Sequence, residues 1–456
     1  MTTAMKINWK ECGKEATQIL CDLLKFDTTN PPGNEQIAAD YLQEFFQREG
    51  IATEILEKEP GRSNILARLK GSRPGPRLML LSHTAVVPAT NPKEWVHPPF
   101  SGKVAGGFIW GRGALDMKSM TATEAVAFAL FKRLHLDFAG ELLYLAVADE
   151  EKGAIYGASW LAEKHKEKIY ADLVINEGGG MPLQIGSKTF YTIETMEKGL
   201  WWVKVRIKGT AGHASVPHDD NPLVKAARFI DKMASHKFPK IVSPSVRALF
   251  ESIGDALGGG RKLVELMLSD KEADLDLRQV FAGTPINPFL VNASIRTTCS
   301  PTMLTAGLKE NVIPDACEFV LDFRLVPGYS TDQVRKVIET YAKELNIKIE
   351  VETLQFHEAS ESSKDTEFFK IIEETIHQEI PGVGVVPLLM TGATDSRFMR
   401  ELGSVAYGFS PLTTKMSMMD RARLIHNDNE RIDVDSMELG VRMLTKIAMK
   451  VLKVKV

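Results

Sequence analysis

Cysteine is scarce in this chain. Among 456 residues there are four, at Cys12, Cys21, Cys299 and Cys317. No two of them form a C-x-x-C pair, so the sequence gives no support for a thiolate zinc site or a redox motif. We expect all four to pack in the core as small apolar side chains.

The sequence also lacks long apolar runs and a surplus of either charge. No segment reaches the roughly 18 apolar residues of a membrane-spanning helix, and the N-terminal segment is too charged for a signal peptide. Lys and Arg total 56 against 59 for Asp and Glu, giving a net charge of −3. A binder of nucleic acid or acidic membranes would need a basic surplus. We therefore expect a soluble, cytoplasmic protein with neither of these partners.

The length of the chain and the order of its predicted helices and strands indicate two domains. A chain of 456 residues is too long for one ordinary core. In the first half, short apolar runs alternate with segments of helical periodicity, which is typical of an α/β domain with a mostly parallel sheet flanked by helices. The predicted helices are 9–26, 37–50, 117–134 and 155–166, and the predicted strands are 64–69, 78–82, 142–148 and 173–175.

The pattern changes near Lys198 and returns near Phe356. Strands at 200–207, 319–325 and 347–353, with helices at 221–234 and 331–345, predict a smaller α+β domain. We assign 1–197 and 356–456 to the larger domain and 198–355 to the inserted one. Within the latter, 243–288 is rich in Gly, Pro and charge and is interpreted as an insertion with a helix at 261–267. The chain should end in a helix at 434–452.

Five short segments combine metal-binding residue types, and four of them follow strand-like runs, where open α/β sheets place their sites. Each has an ordinary explanation by itself: a lone His is usually structural, and an Asp before a helix is usually an N-cap. The adjacent carboxylates of Asp149, Glu150 and Glu151 are harder to explain, because they repel one another unless a cation lies among them. The candidate residues are His83, Asp116, Glu150, Glu151, Glu177 and His426.

Carboxylates with two imidazoles suit zinc, manganese or cobalt. Two such ions about 3.5–4 Å apart can share a carboxylate and activate a water. A free carboxylate beside them can take a proton from the water as it attacks a carbonyl carbon. Metal-assisted amide hydrolysis is the predicted reaction class.

Two segments point to one known family. They are Gly111-Arg112-Gly113-Ala114-Leu115-Asp116-Met117-Lys118 and Glu150-Glu151. The chain resembles the di-zinc amidohydrolase and exopeptidase family of acetylornithine deacetylase, succinyl-diaminopimelate desuccinylase, aminoacylase and glutamate carboxypeptidase. The sequence around Trp95, 98–100 and Trp110 is most similar to the branch of vacuolar carboxypeptidase and N-acyl amino acid hydrolases. The resemblance implies a hydrolase for an amide bond next to a carboxylate, with the inserted domain serving as a lid and dimerisation domain.

The resemblance also implies a role for each candidate residue. His83 and Glu177 would hold one metal, Glu151 and His426 the other, and Asp116 would bridge them, with zinc the expected ion. Glu150 would be the general base that later passes its proton to the leaving amine.

In the inserted domain, the resemblance implies that His213 stabilises the oxyanion, acting in trans in a homodimer. Asn311, Arg324 and Gly392 match positions that bind the substrate. Arg324 has two open interpretations, because a guanidinium two residues from Asp322 can bind a substrate carboxylate or form a structural ion pair.

One position departs from the family pattern. The family segment is His-x-Asp, whereas this chain has His83-Thr84-Ala85. The missing Asp would accept a hydrogen bond from the metal-binding imidazole, and losing such a partner typically costs about 10–100-fold in metal affinity or activity. Because the other site residues are present, our hypothesis is that Ala85 is an engineered substitution that slows turnover.

Two further functions stay open from the sequence. A dipeptidase or aminopeptidase on the same scaffold would bind a substrate amino group with acids instead of a carboxylate with Arg324. A non-catalytic metal or ligand-binding homologue would explain Ala85 as a sign of lost activity.

The substitution Ala85→Asp should raise both the amide hydrolysis rate and the retention of metal, because it restores the anionic partner of the His83 ring. Both can be measured on N-acyl amino acids and by metal analysis after dialysis. An unchanged rate would refute this account of Ala85. Two retained metals without hydrolysis of any amide in a broad panel would favour the non-catalytic homologue.

Overall fold

A computed structural model of the chain describes residues 7–257, 260–268 and 287–455. These divide into two compact units. Unit 1 comprises Met1–Thr195, Ser362–Leu388 and Thr394–Val456, and unit 2 comprises Met196–Glu361 and Leu389–Ala393. The chain passes between the units at 195/196 and 361/362, and unit 2 also takes the short segment Leu389–Ala393.

The described elements follow in chain order. The strands are β1 (Thr53–Glu57), β2 (Ser63–Lys70), β3 (Arg73–His83), β4 (Lys103–Ala105), β5 (Phe108–Trp110), β6 (Ala139–Val147), β7 (Leu173–Asn176), β8 (Pro182–Ile185), β9 (Lys188–Glu197), β10 (Gly199–Lys208), β11 (Gly212–His213), β12 (Thr298–Ala306), β13 (Val312–Ile313), β14 (Ala316–Leu325), β15 (Ile349–His357), β16 (Ser360–Glu361), β17 (Gly384–Met390), β18 (Val405–Gly408) and β19 (Arg431–Asp433). The α-helices are α1 (Trp9–Leu23), α2 (Gln36–Arg48), α3 (Lys118–Arg133), α4 (Ala158–Lys164), α5 (Lys166–Ile169), α6 (Pro222–Ser235), α7 (Pro244–Ala256), α8 (Arg261–Leu268), α9 (Pro288–Ile295), α10 (Thr331–Glu344), α11 (Glu367–Glu379), α12 (Ser396–Glu401), α13 (Met418–Leu424) and α14 (Val434–Val451).

Unit 1 is built on a sheet whose strand order is β1-β2-β6-β3-β7-β18-β9. The four central strands, β6, β3, β7 and β18, are parallel, and the flanking pairs are antiparallel. This confirms the predicted α/β class with a mostly parallel sheet. The central strands are buried on both faces, which explains why their sequences are continuous apolar runs.

Helices cover this sheet because each has one apolar side or is apolar throughout. α3 is buried along almost its whole length, and α1 and α14 pack against it in the same hydrophobic core. α14 begins where Asp433 accepts a hydrogen bond from the Ser436 backbone N–H at 3.0 Å, which satisfies a donor in its first turn. A second core on the other face includes Leu81, Leu145 and Leu161.

Unit 2 contains an antiparallel sheet in the order β12-β14-β10-β15. Burial alternates along β14, so one face of the sheet is buried and the other is not. α6 and α10 cover the buried face with Phe229, Val334 and Ile338, which pack in one core with Phe319 and Val205. α10 begins with a capping box between Ser330 and Gln333. These elements confirm the predicted smaller α+β fold.

Three local expectations differ from the structure. The predicted helix 155–166 is shortened to α4, because at Gly157 a Cβ would lie 1.9 Å from the Ala148 carbonyl oxygen and the helix starts after this close approach. The insertion contains α7, which was not predicted, besides α8, and 269–286 lies outside the described residues. Cys12, Cys21 and Cys317 are buried, whereas Cys299 is only partly buried against the core of unit 2.

Within the described ranges, every helix is too short or too polar to cross a lipid bilayer.

The substitution Phe229→Ala should destabilise unit 2 selectively. Phe229 is fully buried, and truncating such a ring typically costs about 3–5 kcal/mol. Hydrogen exchange should therefore accelerate in peptides from β10 and β14 but not in peptides from α3. Val224→Ala on the same helix is the control, because Val224 is 47% exposed and should change stability by less than about 0.5 kcal/mol. Equal acceleration in both units would contradict the separate cores.

Candidate metal centre

Three neighbouring parallel strands end beside one another and deliver four of the candidate side chains. β3 ends at His83, which lies opposite Val147 at the end of β6. Glu150 and Glu151 follow β6 in a short 3-10 helix, and Glu177 directly follows β7. Because the carboxyl ends of parallel strands share one edge of the sheet, these residues meet there although they are far apart in sequence.

Asp116 and His426 reach the same edge from loops. Asp116 precedes α3, and His426 follows α13 with a positive φ of 60°. The loop that carries Asp116 is held by Glu430. Its Oε1 accepts hydrogen bonds from the backbone N–H groups of Leu115 (2.7 Å) and Asp116 (3.0 Å). Its Oε2 accepts from the Gly113 backbone N–H and from Arg112 Nη1.

The six side chains form one cluster around Asp116. Asp116 Oδ1 lies 3.2 Å from His83 Nε2, and Asp116 Oδ2 lies 3.1 Å from His426 Nε2. His83 Nε2 is 3.6 Å from Glu177 Oε1, and His426 Nε2 is 3.3 Å from Glu151 Oε2. Glu150 Oε2 stands slightly farther off, 4.0 Å from His83 Nε2. The Asp116 carboxylate thus turns one oxygen toward each imidazole.

These separations fit ligand atoms around two cations. Zn–N and Zn–O bonds of about 2.0–2.2 Å in a tetrahedral site place neighbouring ligand atoms about 3.3–3.5 Å apart. The four ligand-to-ligand separations, from 3.1 to 3.6 Å, lie close to this value. Glu151 Oε1 is also buried without a hydrogen-bond partner, as a carboxylate oxygen beside a metal would be. The residues present therefore fit a pair of divalent ions.

The His83 ring is oriented by a backbone group. Its Nδ1 lies 3.0 Å from the carbonyl oxygen of Ala85. An Nδ1–H group that donates there leaves Nε2 with its lone pair directed at the cluster, which is the tautomer needed for metal binding. The main-chain carbonyl of Ala85 therefore provides a neutral acceptor for the His83 ring.

The cluster is electrostatically strained without cations. Burial raises the pKa of Glu150 well above its usual range; His83 lowers it, and Glu177 raises it further. Burial and then Asp116 raise the pKa of Glu151. The hydrogen bonds with Asp116 and Glu151 raise the pKa of His426 to about 10. Bound cations would oppose these shifts, because metal ligands must be deprotonated.

A buried ion-pair network supports the two adjacent glutamates. Asp149, which precedes them, has a left-handed backbone conformation with φ of 67°. Its Oδ1 accepts hydrogen bonds from Asn30 Nδ2 at 2.8 Å and Arg62 Nη2 at 2.9 Å. Glu35 accepts from the Asp149 backbone N–H at 3.1 Å and pairs with the same guanidinium. These bonds hold a conformation that is uncommon for a non-glycine residue and so determine where Glu150 and Glu151 point.

The predicted substrate residues lie in unit 2, outside this cluster. His213 is exposed, and its Nδ1 accepts a hydrogen bond from the Ser215 backbone N–H at 3.2 Å. Asn311 is exposed and accepts a backbone bond from Ala214. Arg324 pairs with Asp322 through Nε (2.8 Å) and Nη2 (3.1 Å), which is the ion-pair interpretation of this residue. Gly392 is partly buried next to Met390.

Comparison with known families identifies the family of this chain. The model of peptidase family M20/M25/M40 matches residues 79–450, a span that contains the whole cluster from His83 to His426. The chain belongs to this family. It is therefore a metal-dependent hydrolase of the M20 type, as the resemblance of its motifs implied.

Individual M20 relatives are distant but match over most of their length. The N-fatty-acyl-amino acid synthase/hydrolase PM20D1 of Xenopus tropicalis is 27% identical, covering 90% of this chain and 79% of the relative. Aminoacylase-1 of Mus musculus is 26% identical, covering 92% of this chain and 91% of the relative.

Solved M20 structures share the fold. The metallo-carboxypeptidase Sso-CP2 of Sulfolobus solfataricus superposes with a TM-score of 0.73 at 19% identity, covering 95% of this chain and 98% of that one. The YXEP protein of Bacillus subtilis, described as a dinuclear metal binding peptidase, superposes with a TM-score of 0.63 at 15% identity, covering 98% and 100% of the two chains.

Sequence reasoning missed the residues that support this M20 cluster. Glu430 lies shortly after His426 in the sequence, and Asp149 lies in the run of adjacent carboxylates, but neither was assigned a role. Arg62 and Glu35 gave no signal by spacing, because their partner Asp149 is distant in the sequence. The available clue was charge in segments that otherwise become buried: all four side chains are less than one tenth exposed.

Glu430→Gln should lower metal affinity about 10–100-fold, the usual cost of removing a group that orients a metal ligand. The amide nitrogen of Gln would face N–H donors where a carboxylate oxygen now accepts. The metal affinity is measured by competition with a chelator, at a temperature well below the midpoint of thermal unfolding.

Glu430→Asp retains the negative charge, so its metal affinity should lie between that of the parent and that of Glu430→Gln. Glu438→Gln is the matched control, because Glu438 forms a partly exposed pair with Arg442 on α14. Parental metal affinity in Glu430→Gln would contradict the role assigned to Glu430.

Proposed function

We propose that this M20 protein is a di-metal amidohydrolase that cleaves an amide bond next to a carboxylate, as an N-acyl amino acid hydrolase or a carboxypeptidase does. The observation that carries the proposal is the arrangement around Asp116. Its two oxygens lie 3.2 and 3.1 Å from the imidazoles of His83 and His426. A carboxylate so placed fits the bridge of a two-cation site.

In this proposal, His83 and Glu177 hold one ion and Glu151 and His426 hold the other. The mixture of imidazole and carboxylate ligands favours zinc, with cobalt and manganese as alternatives. Two bound divalent cations would supply Lewis-acid activation of the substrate carbonyl and of a water.

Glu150 is the proposed proton carrier. It lies farther from the imidazoles than the proposed ligands, with Oε2 4.0 Å from His83 Nε2, and it is mostly buried. As the water oxygen bonds to the acyl carbon, Glu150 accepts the water proton. As the C–N bond breaks, Glu150 gives that proton to the nitrogen. The second water proton leaves the new carboxylic acid and passes to the amine, so the products are a carboxylate and an ammonium, and Glu150 returns to its starting state.

The substrate class rests on the sequence relatives. The names of both relatives reported above describe acyl amino acid chemistry, and they match most of this chain. The dipeptidase and aminopeptidase alternative differs in requiring a free substrate amino group. A panel of N-acyl amino acids and the corresponding free dipeptides, assayed with the same protein, separates the two.

The residues of unit 2 complete the proposal. We assign His213 to oxyanion stabilisation in trans within a homodimer, and Asn311, Arg324 and Gly392 to substrate binding. The exposure of His213 is compatible with a role across a subunit contact. A donor directed at developing negative charge is typically worth about 2.7–4 kcal/mol.

Ala85 belongs to the proposal as a residue that weakens activity. The Ala85 carbonyl preserves the tautomer of His83 but brings no negative charge to the ring. An anionic partner makes a metal-bound imidazole a better ligand, so the protein should turn over more slowly than it would with Asp at this position.

Glu150→Gln and Glu151→Gln test the assignment as a matched pair of adjacent residues. Glu150→Gln should retain both metals and lower kcat about 10²–10⁴-fold, because the amide cannot accept the proton. Glu151→Gln should lose metal, because it replaces a proposed ligand. Metal analysis and hydrolysis of an N-acyl amino acid measure the two effects.

Glu163→Gln is the control, since its side chain is 68% exposed. Equal metal loss in both variants would contradict the division of labour between the adjacent glutamates. Full activity in Glu150→Gln would refute its role as the base.

A further inference from the structure

Arg421 is a buried cation of unit 1 in which two guanidinium nitrogen atoms have no hydrogen-bond partner among the described residues. It lies on α13, the helix that leads to His426, and is 3% exposed. Its Nε and Nη1 atoms are buried and have no hydrogen-bond partner among the described residues. Burying a charged group without a partner is costly, so this arrangement requires an explanation.

The carboxylates nearest to Arg421 already have other roles. Burial lowers the pKa of Arg421, while Glu177, Asp116 and Glu430 act on it in the opposite direction. Glu430 is occupied by Arg112 and by three backbone N–H groups. Asp116 and Glu177 are proposed metal ligands. Arg421 therefore lies on the helix that leads to His426, and its Nε and Nη1 atoms have no hydrogen-bonded carboxylate among the described residues.

A charge count shows what Arg421 lacks when the proposed metals are bound. The carboxylates of Asp116, Glu150, Glu151 and Glu177 carry about four negative charges, which two divalent ions balance. Arg421 remains a buried guanidinium whose Nε and Nη1 atoms have no hydrogen-bond partner among the described residues, and an anionic ligand would compensate its charge.

The motif resemblance assigned Arg324 to the substrate carboxylate. Arg324 differs from Arg421 both in its hydrogen-bond partners and in its burial. It is engaged with Asp322 through two nitrogen atoms, and its side chain is 27% exposed. Substrate binding through Arg324 would have to compete with this ion pair. Arg421 has unused donors and lies where water is scarce, so a charge-assisted hydrogen bond there is stronger.

We propose that Arg421 forms an anion subsite beside the metal cluster and binds the carboxylate of the substrate through guanidinium N–H groups. This proposal rests on the proposed hydrolase function and makes it more specific. It assigns selectivity for an acidic substrate to α13, next to the segment that supplies His426. A planar guanidinium with several fixed donors suits a carboxylate better than an ammonium does.

The test compares N-acetyl-methionine with its carboxamide, which differ only in the charged group. The parent protein should prefer the acid. Arg421→Met should lower kcat/KM for the acid about 100-fold, mainly through KM, and lower it for the carboxamide less than about 3-fold. Arg421→Lys should fall between the two for the acid. Arg423→Met, an exposed position on the same helix, should behave as the parent.

A second readout does not need turnover. In a Glu150→Gln background, calorimetry with N-acetyl-methionine and its carboxamide should show that Arg421→Met abolishes the preference for the acid. If the parent cleaves neither compound but the Glu150→Gln protein still prefers the acid, the hydrolase proposal fails and the subsite stands. An unchanged acid preference in Arg421→Met overturns the subsite, as does an equal loss on both compounds. A change in metal affinity alone would show that Arg421 is only a counter-charge for the carboxylates, which also overturns the proposal.

Discussion

The mutual repulsion of buried carboxylates is the constraint on which this structure depends. Asp116, Glu150, Glu151 and Glu177 converge at one edge of a parallel sheet, and their side chains are between 5% and 14% exposed. Acidic groups this close and this buried cannot all ionise unless positive charge lies among them. The two imidazoles supply part of that charge, and the proposed pair of divalent ions would supply the rest, so the proposed chemistry follows from the way unit 1 buries these acids.

Much of the surrounding structure maintains this unfavourable arrangement. Glu430 holds the loop of Asp116, and Arg62 with Glu35 and Asn30 holds Asp149 in a left-handed conformation. Both supports bury ion pairs whose partners lie far apart in the chain. Buried pairs of this kind contribute little net stability but are costly to break. Their evident role is to hold ligand directions rather than to add to the free energy of unfolding.

The sequence supported accurate predictions wherever one local pattern determines the outcome. The apolar runs before His83, Asp149 and Glu177 predict buried parallel strands, and parallel strands bring their carboxyl ends together. That geometry accounts for most of the cluster. The motif around Asp116 pointed to the family, and the resemblance to that family suggested the role proposed for His426, which follows no central strand.

The features that could not be predicted from the sequence depend on long-range contacts or on main-chain groups. The hydrogen bond from His83 to the carbonyl of Ala85 leaves no trace in residue type, because every residue there has a carbonyl group. The edge strand β12 has little apolar alternation and includes Pro301, so its extended form reflects pairing with β14. Arg324 shows the opposite case. Its ion pair with Asp322, two residues away, was one of two alternatives that the sequence left open, and only the structure shows that the pair forms.

The most direct measurement of the central claim is a crystal structure with anomalous scattering data recorded at the absorption edge of the metal bound after zinc loading. The account predicts two anomalous peaks about 3.5–4 Å apart, with one Asp116 oxygen beside each peak. A single peak, or two peaks that do not share Asp116, would contradict it.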